Sequence, residues 1–443
     1  QYNVRGGNYD ENLVYVNDFE IFRPQLIRAG QQEGLSFPNI DLIRDLAFSS
    51  GGFEAKYGDK LSSVLDIKYK RPEETRGSFM ASMLGASAHL EGSFKPIKKQ
   101  GGKVRYLLGA RYKTTRYILG SLDTKGEYLP NFIDLQAYVT YDFKPNWQLA
   151  LIGNINQAKY NFTPTESEVV TGGFFFPNKF SADFEGKEDD KFKNNMGGLA
   201  LNFVPAKKQN PSFVKFLTSV YNADEVEAFD ILSYFQVTKL ELDLEGGKPK
   251  EIGVLGNGVQ HSFARNRLQN IILNGELKAG IEIPRFNDDK GYETSHFLYG
   301  GIKVQQEHFK DRLNEWARTD SAGYSLPNAE EEYQLASVIK SVNDVSSTRF
   351  TAFGQETFTY KKLSKYEIQT TIGARVGYWS FNDEFIVSPR AQFLVRPLGR
   401  ENPITYKVAG GIYQQQPFYR ELRRLDGTSN THIKPPKSAH APG

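Results

Sequence analysis

The 443-residue chain has no cysteine, which excludes a disulfide framework, a thiol nucleophile and a Cys-ligated zinc or iron–sulfur centre. No run reaches the ~18 consecutive apolar residues of a membrane-spanning helix, so a helical membrane protein is excluded as well. Neither sign of charge dominates: 55 Lys and Arg stand against 52 Asp and Glu, and no nucleic-acid partner is expected. No basic and apolar leader follows Gln1; either a targeting segment has been removed or the chain begins partway into a longer polypeptide. Catalytic signatures are scarce too. The six histidines, His89, His261, His296, His308, His432 and His440, form no His-x3-His pair. No Gly-x-Ser-x-Gly elbow occurs. Neither an enzyme nor a cofactor or metal site is expected.

Aromatic residues are plentiful, with 24 Tyr, 32 Phe and 3 Trp beside 40 Gly. Residues 1–71 are mixed in texture: a strand-like Leu13-Val14-Tyr15-Val16, a possible helix near Ile40–Leu46, then Val64-Leu65-Asp66-Ile67. From about Gly77 the chain alternates with period two. In 103–116, Val104, Tyr106 and Leu108 oppose Lys103, Arg105 and Arg111; in 133–143, Ile133, Leu135 and Val139 oppose Asp134, Gln136 and Thr140. Residues 368–378 set Ile368, Ile372 and Val376 against Gln369, Thr371 and Arg375, and 385–396 set Val387, Ala391 and Phe393 against Ser388, Arg390 and Gln392. Successive strand side chains face opposite ways, so each segment has an oily and a wet side.

A soluble sandwich alternates in the same way. Strand length and connection length separate the two. The strands span about 10–14 residues, longer than the usual ~5–6 and enough for a tilted membrane crossing. Short connections at 144–146, 204–212, 361–365 and 396–403 alternate with long ones at 161–195, 222–263 and 309–348, the habit of outer-membrane barrels. Tyr117, Phe143, Trp147, Tyr160, Tyr360, Tyr378, Trp379 and Phe385 lie near strand ends, as an aromatic girdle requires.

About thirteen barrel strands are expected: 77–85, 87–95, 103–117, 132–143, 147–160, 196–204, 213–221, 264–275, 296–308, 349–360, 366–378, 385–396 and 404–414. An odd count ending on the long-loop side would leave unpaired backbone in lipid, which implies part of a longer polypeptide. The three prolines of 432–443 argue against a further strand there and put the native character of the last ~15 residues in doubt.

Four motifs stand in order: Asn3-Val4-Arg5-Gly6-Gly7; Asn12-Leu13-Val14-Tyr15-Val16-Asn17-Asp18; Gly52-Phe53-Glu54-Ala55-Lys56-Tyr57-Gly58; and Ser63-Val64-Leu65-Asp66-Ile67. Together they resemble the plug domain of TonB-dependent outer-membrane receptors of the Bacteroidetes type. Where that family has an Asp-Gly turn, this chain reads Asp18-Phe19. The resemblance implies the later part of a plug over 1–71, a linker over 72–76 and the first portion of the barrel over 77–443. The fold is then membrane all-β: a plugged antiparallel barrel, about 13 strands of roughly 22, with a small mixed α+β plug. It implies import of a scarce or large nutrient, driven by a TonB-type inner-membrane complex pulling an N-terminal box that this chain lacks. Outer-membrane lipids are partners; a surface lipoprotein is left open. Iron-siderophore, cobalamin, oligosaccharide and peptide cargoes share these motifs. A receptor-fold scaffold for envelope assembly is the alternative, and a passive porin a weaker third.

By the same resemblance, Arg5, Gly6, Gly7, Tyr57 and Gly58 latch plug to barrel, and polar inner-face residues such as Arg111, Arg375 and Arg390 pair with the plug or line a wet path. Asn8, Tyr9, Asp10, Glu11, Phe22, Arg23, Gln25 and Arg28 lie on the plug's outward loops and are cargo candidates; solvated turns are the plain alternative. Phe174, Phe175 and Phe176, in a long loop, form an apolar surface for cargo or for neighbouring loops. The acidic runs Glu185–Asp190 and Asp224–Asp230 read as solvated loops without calcium-loop spacing.

Overall fold

The computed structural model describes residues 4–7, 9–22, 37–58, 60–96, 102–114, 126–171, 177–206, 209–241, 249–287, 291–320, 334–362, 365–398 and 404–440. Two β-sheets account for almost all of it. The first holds β1 (Asn12–Val16), β2 (Phe19–Glu20), β3 (Ile43–Ser49) and β4 (Ser63–Tyr69) in the order β2-β1-β4-β3, with β1 and β4 parallel. β1 is buried at all five positions, which explains its unbroken apolar run. Single-turn 3₁₀ helices occupy Tyr9–Glu11 and Ile40–Leu42. The helix expected near Ile40–Leu46 is therefore one 3₁₀ turn, capped by the Asn39 side chain, followed by β3 on the edge of β4. The described part of this domain contains no α-helix, so the mixed α+β expectation is corrected: strand pairing overrides local periodicity.

The second sheet is antiparallel and pairs each strand with its chain neighbour. Its members are β5 (Arg76–Ser82), β6 (Gly85–Phe94), β7 (Lys103–Thr114), β8 (Gly126–Lys144), β9 (Trp147–Pro164), β10 (Ser167–Thr171), β11 (Asn178–Phe203), β12 (Ser212–Glu241), β13 (Lys250–Asn287), β14 (Tyr292–Asp320), β15 (Gln334–Lys362), β16 (Tyr366–Trp379), β17 (Glu384–Pro397), β18 (Tyr406–Gln414) and β19 (Lys437–His440). β10 pairs only with β11, and β5 and β19 end the path, so closure between them is not present among the described residues. Fifteen strands thus replace the thirteen expected.

Two further expectations change. The segments 161–195, 222–263 and 309–348 are mostly strand, not loop: β11 to β15 have 26, 30, 38, 29 and 29 residues. At ~3.3 Å per residue they project far beyond a membrane crossing as paired ribbons. With water on both faces such ribbons carry no apolar side, which hid them in the alternation pattern. The tail also pairs. β19 starts directly after Pro435 and Pro436 and joins β18 from Gln414↔Lys437 to Gly411↔His440. The prolines precede the strand and remove no ladder donor from it.

Side-chain facing follows the alternation. Exterior rows read across the sheet by register: Trp147–Phe203–Val214, Leu149–Leu201–Phe216–Leu277–Ile302, and upward to Ile155 and Ile271. Leu151, Phe216, Leu277 and Ile302 are 42–58% exposed on that face. Eight steps from Trp147 to Ile155 give about 26 Å of apolar wall along the strand. The interior is polar and covered: Asp134, Gln136, Asn154, Gln305, Gln355, Arg375 and Arg390 are all buried. The four-stranded sheet covers it, with Val14, Val16, Phe19 and Ile67 packed on Leu107, Ile152, Met196 and Ile272 of the wall.

Candidate functional site

The interface between inner domain and wall is built mainly from hydrogen bonds and ion pairs. At the β1–β2 turn, Asn17 and Asp18 both take positive φ, 47° and 74°, the pattern of a two-residue hairpin turn that Asn and Asp tolerate. Val16 and Phe19 close it. Asp18 pairs with Lys68 of its own domain at 2.8 Å and with Lys215 on β12. Burial pushes the Asp18 carboxyl up, but the Lys215, Lys68 and Lys278 ammoniums outweigh it and hold it far below the usual carboxylate range. Lys303 on β14 pairs with Glu20 at 2.6 Å. These pairs account for the departure from Asp-Gly: the turn residue carries the charge that reaches the wall.

Two loops of the inner domain are gripped through their backbone. Arg111 on β7 donates to the carbonyls of Phe37 (3.0 Å) and Pro38 (2.9 Å), and Gln136 on β8 also donates to Phe37 O (2.7 Å). Asp134 holds the Arg111 guanidinium in place through Nε at 2.8 Å. Across the lumen, Arg390 on β17 donates to the carbonyls of Glu54 (2.7 Å) and Tyr57, and its guanidinium lies over the Phe53 and Tyr413 rings. Gln392 donates to Gly52 O, and Gln355 on β15 both donates to Glu54 and accepts from the Lys56 amide. Water competes for such contacts more readily than for packed apolar ones.

The residues expected to latch the domain are distributed along this interface. Arg5 and Gly6 form a positive-φ turn closed by Gly7 N donating to Val4 O at 2.9 Å. The Arg5 guanidinium lies beside Gly51, and among the described residues no carboxylate pairs with it. Tyr57 donates to Asp66 at 2.7 Å; burial and the Asp66 charge push its phenol up. Gly58 lies against the Arg375 guanidinium with no room for a Cβ.

Of the cargo candidates, Asn8, Arg23, Gln25, Arg28, Phe174, Phe175 and Phe176 lie outside the described residues. Tyr9, Asp10 and Glu11 form the 3₁₀ turn; Lys60 donates to Asp10 O and Ser62 to Glu11, both at 2.5 Å. Phe22 stacks obliquely on Tyr221 of β12 with centroids 5.6 Å apart.

Sequence reasoning missed the segment 415–436, between β18 and β19. It folds into the lumen over the inner domain. Gln415 donates to Asp10 at 3.2 Å. Arg420 bonds Glu225 (2.6 Å) and Glu227 (2.7 Å), and Arg423 grips Asp311 through two 2.7 Å bonds. Leu422 is buried with Phe309 and Trp379. The Glu225, Glu227, Arg420 and Arg423 charges carry no recognisable spacing, since their partners lie 112–195 residues apart. The acidic runs expected as solvated loops are strand residues instead: Asp224 pairs with Arg267 at 2.9 Å and Asp230 with His261 at 2.7 Å. Among the described residues no His/Asp/Glu group could hold a metal ion.

No protein-family model matches the chain, and no curated protein matches it. Solved structures do. A mutant of the ferric enterobactin receptor of Pseudomonas aeruginosa, in complex with enterobactin, is 8% identical over 98% of this chain and 91% of its own, with a TM-score of 0.28. The siderophore receptor PirA of Acinetobacter baumannii is 8% identical, with 94% and 85% covered and a TM-score of 0.29. The pyoverdine outer membrane receptor FpvA of Pseudomonas aeruginosa, bound to pyoverdine, is 8% identical, with 91% and 81% covered and a TM-score of 0.27. Likeness of that degree carries no argument about this chain. Its own geometry does: an antiparallel wall, apolar outside and polar within, around a folded inner domain has the architecture expected of a TonB-dependent outer-membrane receptor.

Proposed function

We propose that the chain is the plug (1–71), linker (72–76) and barrel portion (77–443) of an energy-coupled outer-membrane importer. The observation that carries this reading is the polar grip on the inner domain. Arg111, Gln136, Arg390 and Gln392 hold loop carbonyls, and Lys215 and Lys303 hold Asp18 and Glu20. Such an interface stays closed at rest, yet each contact can be exchanged for water when the domain is pulled. The puller is a TonB-type complex acting through a box outside this chain. The remaining strands of a wide barrel, the lipids around it and the cargo complete the working assembly.

Locking the plug tests this directly. A Cβ built on Gly373 of β16 lies 3.0 Å from the Ala55 Cβ of the plug, close to the ~3.5–4.5 Å of a disulfide, and no native cysteine competes. Growth of a deletion strain on defined nutrients identifies the cargo. Oxidised Ala55→Cys/Gly373→Cys protein should then stop its uptake and reductant should restore it, with the Gly373→Cys single variant controlling for crowding. Import at the wild-type rate with the bridge formed refutes the reading.

A further inference from the structure

Above the apolar band, the exterior wall changes sign at one level. Register aligns Lys159 (β9), Lys191 (β11), Val226 (β12), Arg267 (β13) and Arg312 (β14) in a single row. It contains four cations and no acid. Lys159 stands directly opposite Lys191, and Arg267 directly opposite Arg312, an arrangement that costs stability unless an anion lies between or over the pair. The row beneath adds Lys193 and Lys310. Three acids offset part of this charge: Asp224 pairs with Arg267 at 2.9 Å, Asp344 lies 3.5 Å from Lys310 and Asp189 lies 3.7 Å from Lys191. Lys159, Lys193 and Arg312 are exposed, with no ion pair among the described residues.

The position of the row matters as much as its charge. Lumen-facing neighbours at the same height, Ala158, Phe192 and Leu268, are buried, so these cations lie on the outside and take no part in the lumen. Ile155 and Ile271, about 45% exposed, are the last apolar exterior residues below them. With strands ~4.8 Å apart, the row runs about 19 Å from β9 to β14 at constant height. A straight cationic line along the rim of an apolar band fits a planar layer of anions anchored in the same membrane. A soluble partner arriving at the lumen mouth has no reason to follow that line.

We infer that this exterior row binds the phosphate groups of an anionic glycolipid in the surrounding outer leaflet. The inference rests on the outer-membrane reading above. Each basic side chain near such a surface contributes enough for three together to change affinity by about 100-fold. The test uses the whole chain, purified in neutral detergent, and a bis-phosphorylated glucosamine-disaccharide lipid as probe. Lys159→Gln/Lys193→Gln/Arg312→Gln protein should bind it about 100-fold more weakly than wild type. Lys361→Gln/Lys362→Gln/Lys365→Gln protein, with the same charge loss at a short turn on the opposite rim, should bind as wild type does. Removing the lipid's phosphates should abolish the difference, and raised salt should shrink it.

Equal binding by both triple variants overturns the inference, as does wild-type affinity for the dephosphorylated lipid. Competition by millimolar inorganic phosphate would mark a site for free anions and would overturn it too. Failure of the outer-membrane reading shows elsewhere, as loss of lipid contact at Trp147 in the band.

Discussion

Replacing Asp18 by Asn should loosen the plug while leaving the barrel intact. The carboxylate touches two ammoniums, Lys68 within the plug and Lys215 on the wall, and its side chain is 23% exposed. An exposed ion pair contributes ~0.2–1 kcal/mol and breaking a fully buried one costs ~3–5 kcal/mol. At this intermediate burial a cost of about 2 kcal/mol is expected. Asparagine tolerates the positive φ of position 18, so backbone strain adds little and the loss is electrostatic. If plug opening is what exposes β1, amide exchange at Leu13–Val16 should accelerate about 30-fold. Exchange at Leu149–Ile155, in the apolar band, is the internal reference and should not move. In a Lys215→Met background the same substitution should cost well under half as much, because the two residues share one interaction. Unchanged exchange at β1, an equal rise in the band, or strict additivity with Lys215→Met would refute the reasoning.

Other expectations follow from the same contacts. Arg390→Met keeps the stem but removes the donors to Glu54 O and Tyr57 O, at a cost of about 2–3 kcal/mol; proteolysis at Phe53–Gly58 should rise selectively. Gly198→Ala places a Cβ 2.7 Å from the Phe19 ring and 2.9 Å from Ile152, so overpacking of about 1–3 kcal/mol should appear as faster exchange at Phe19–Ile21. Asp18 is held below its ordinary value when folded. Its contribution is therefore full above pH ~4 and lost as pH falls below that, and Asp18→Asn protein should lack this part of acid-induced plug release.

The band was legible in the sequence because one face of each strand meets hydrocarbon and the other meets polar side chains; Val104 beside Lys103 and Leu135 beside Asp134 already state it. The ribbons above it were not legible. Between Glu185 and Asp190 both faces meet water, Gly186 takes φ +105°, and charge on both sides of a strand reads as a loop. Ile40–Leu46 read as helical from its apolar spacing, but β4 offers its edge and wins the segment as a strand. The interface was half legible: Arg111 and Arg390 were identified as inner-face residues, but their partners are backbone carbonyls, which leave no mark in a sequence. Asp18 stood out only as a departure from Asp-Gly, and the grip of Arg420 and Arg423 is invisible without the fold.

The central claim is that the exterior rows face hydrocarbon while the plug fills the lumen, and the three tryptophans report on it separately. Trp147 lies at the inner end of the apolar band against Phe143 and Phe203. Trp316 stacks on Phe263 outside and above the band, and Trp379 is buried in the lumen. In single-tryptophan variants reconstituted with brominated lipids, Trp147 fluorescence should be strongly quenched while Trp316 and Trp379 are spared. Strong quenching of Trp379, or none of Trp147, would contradict the account.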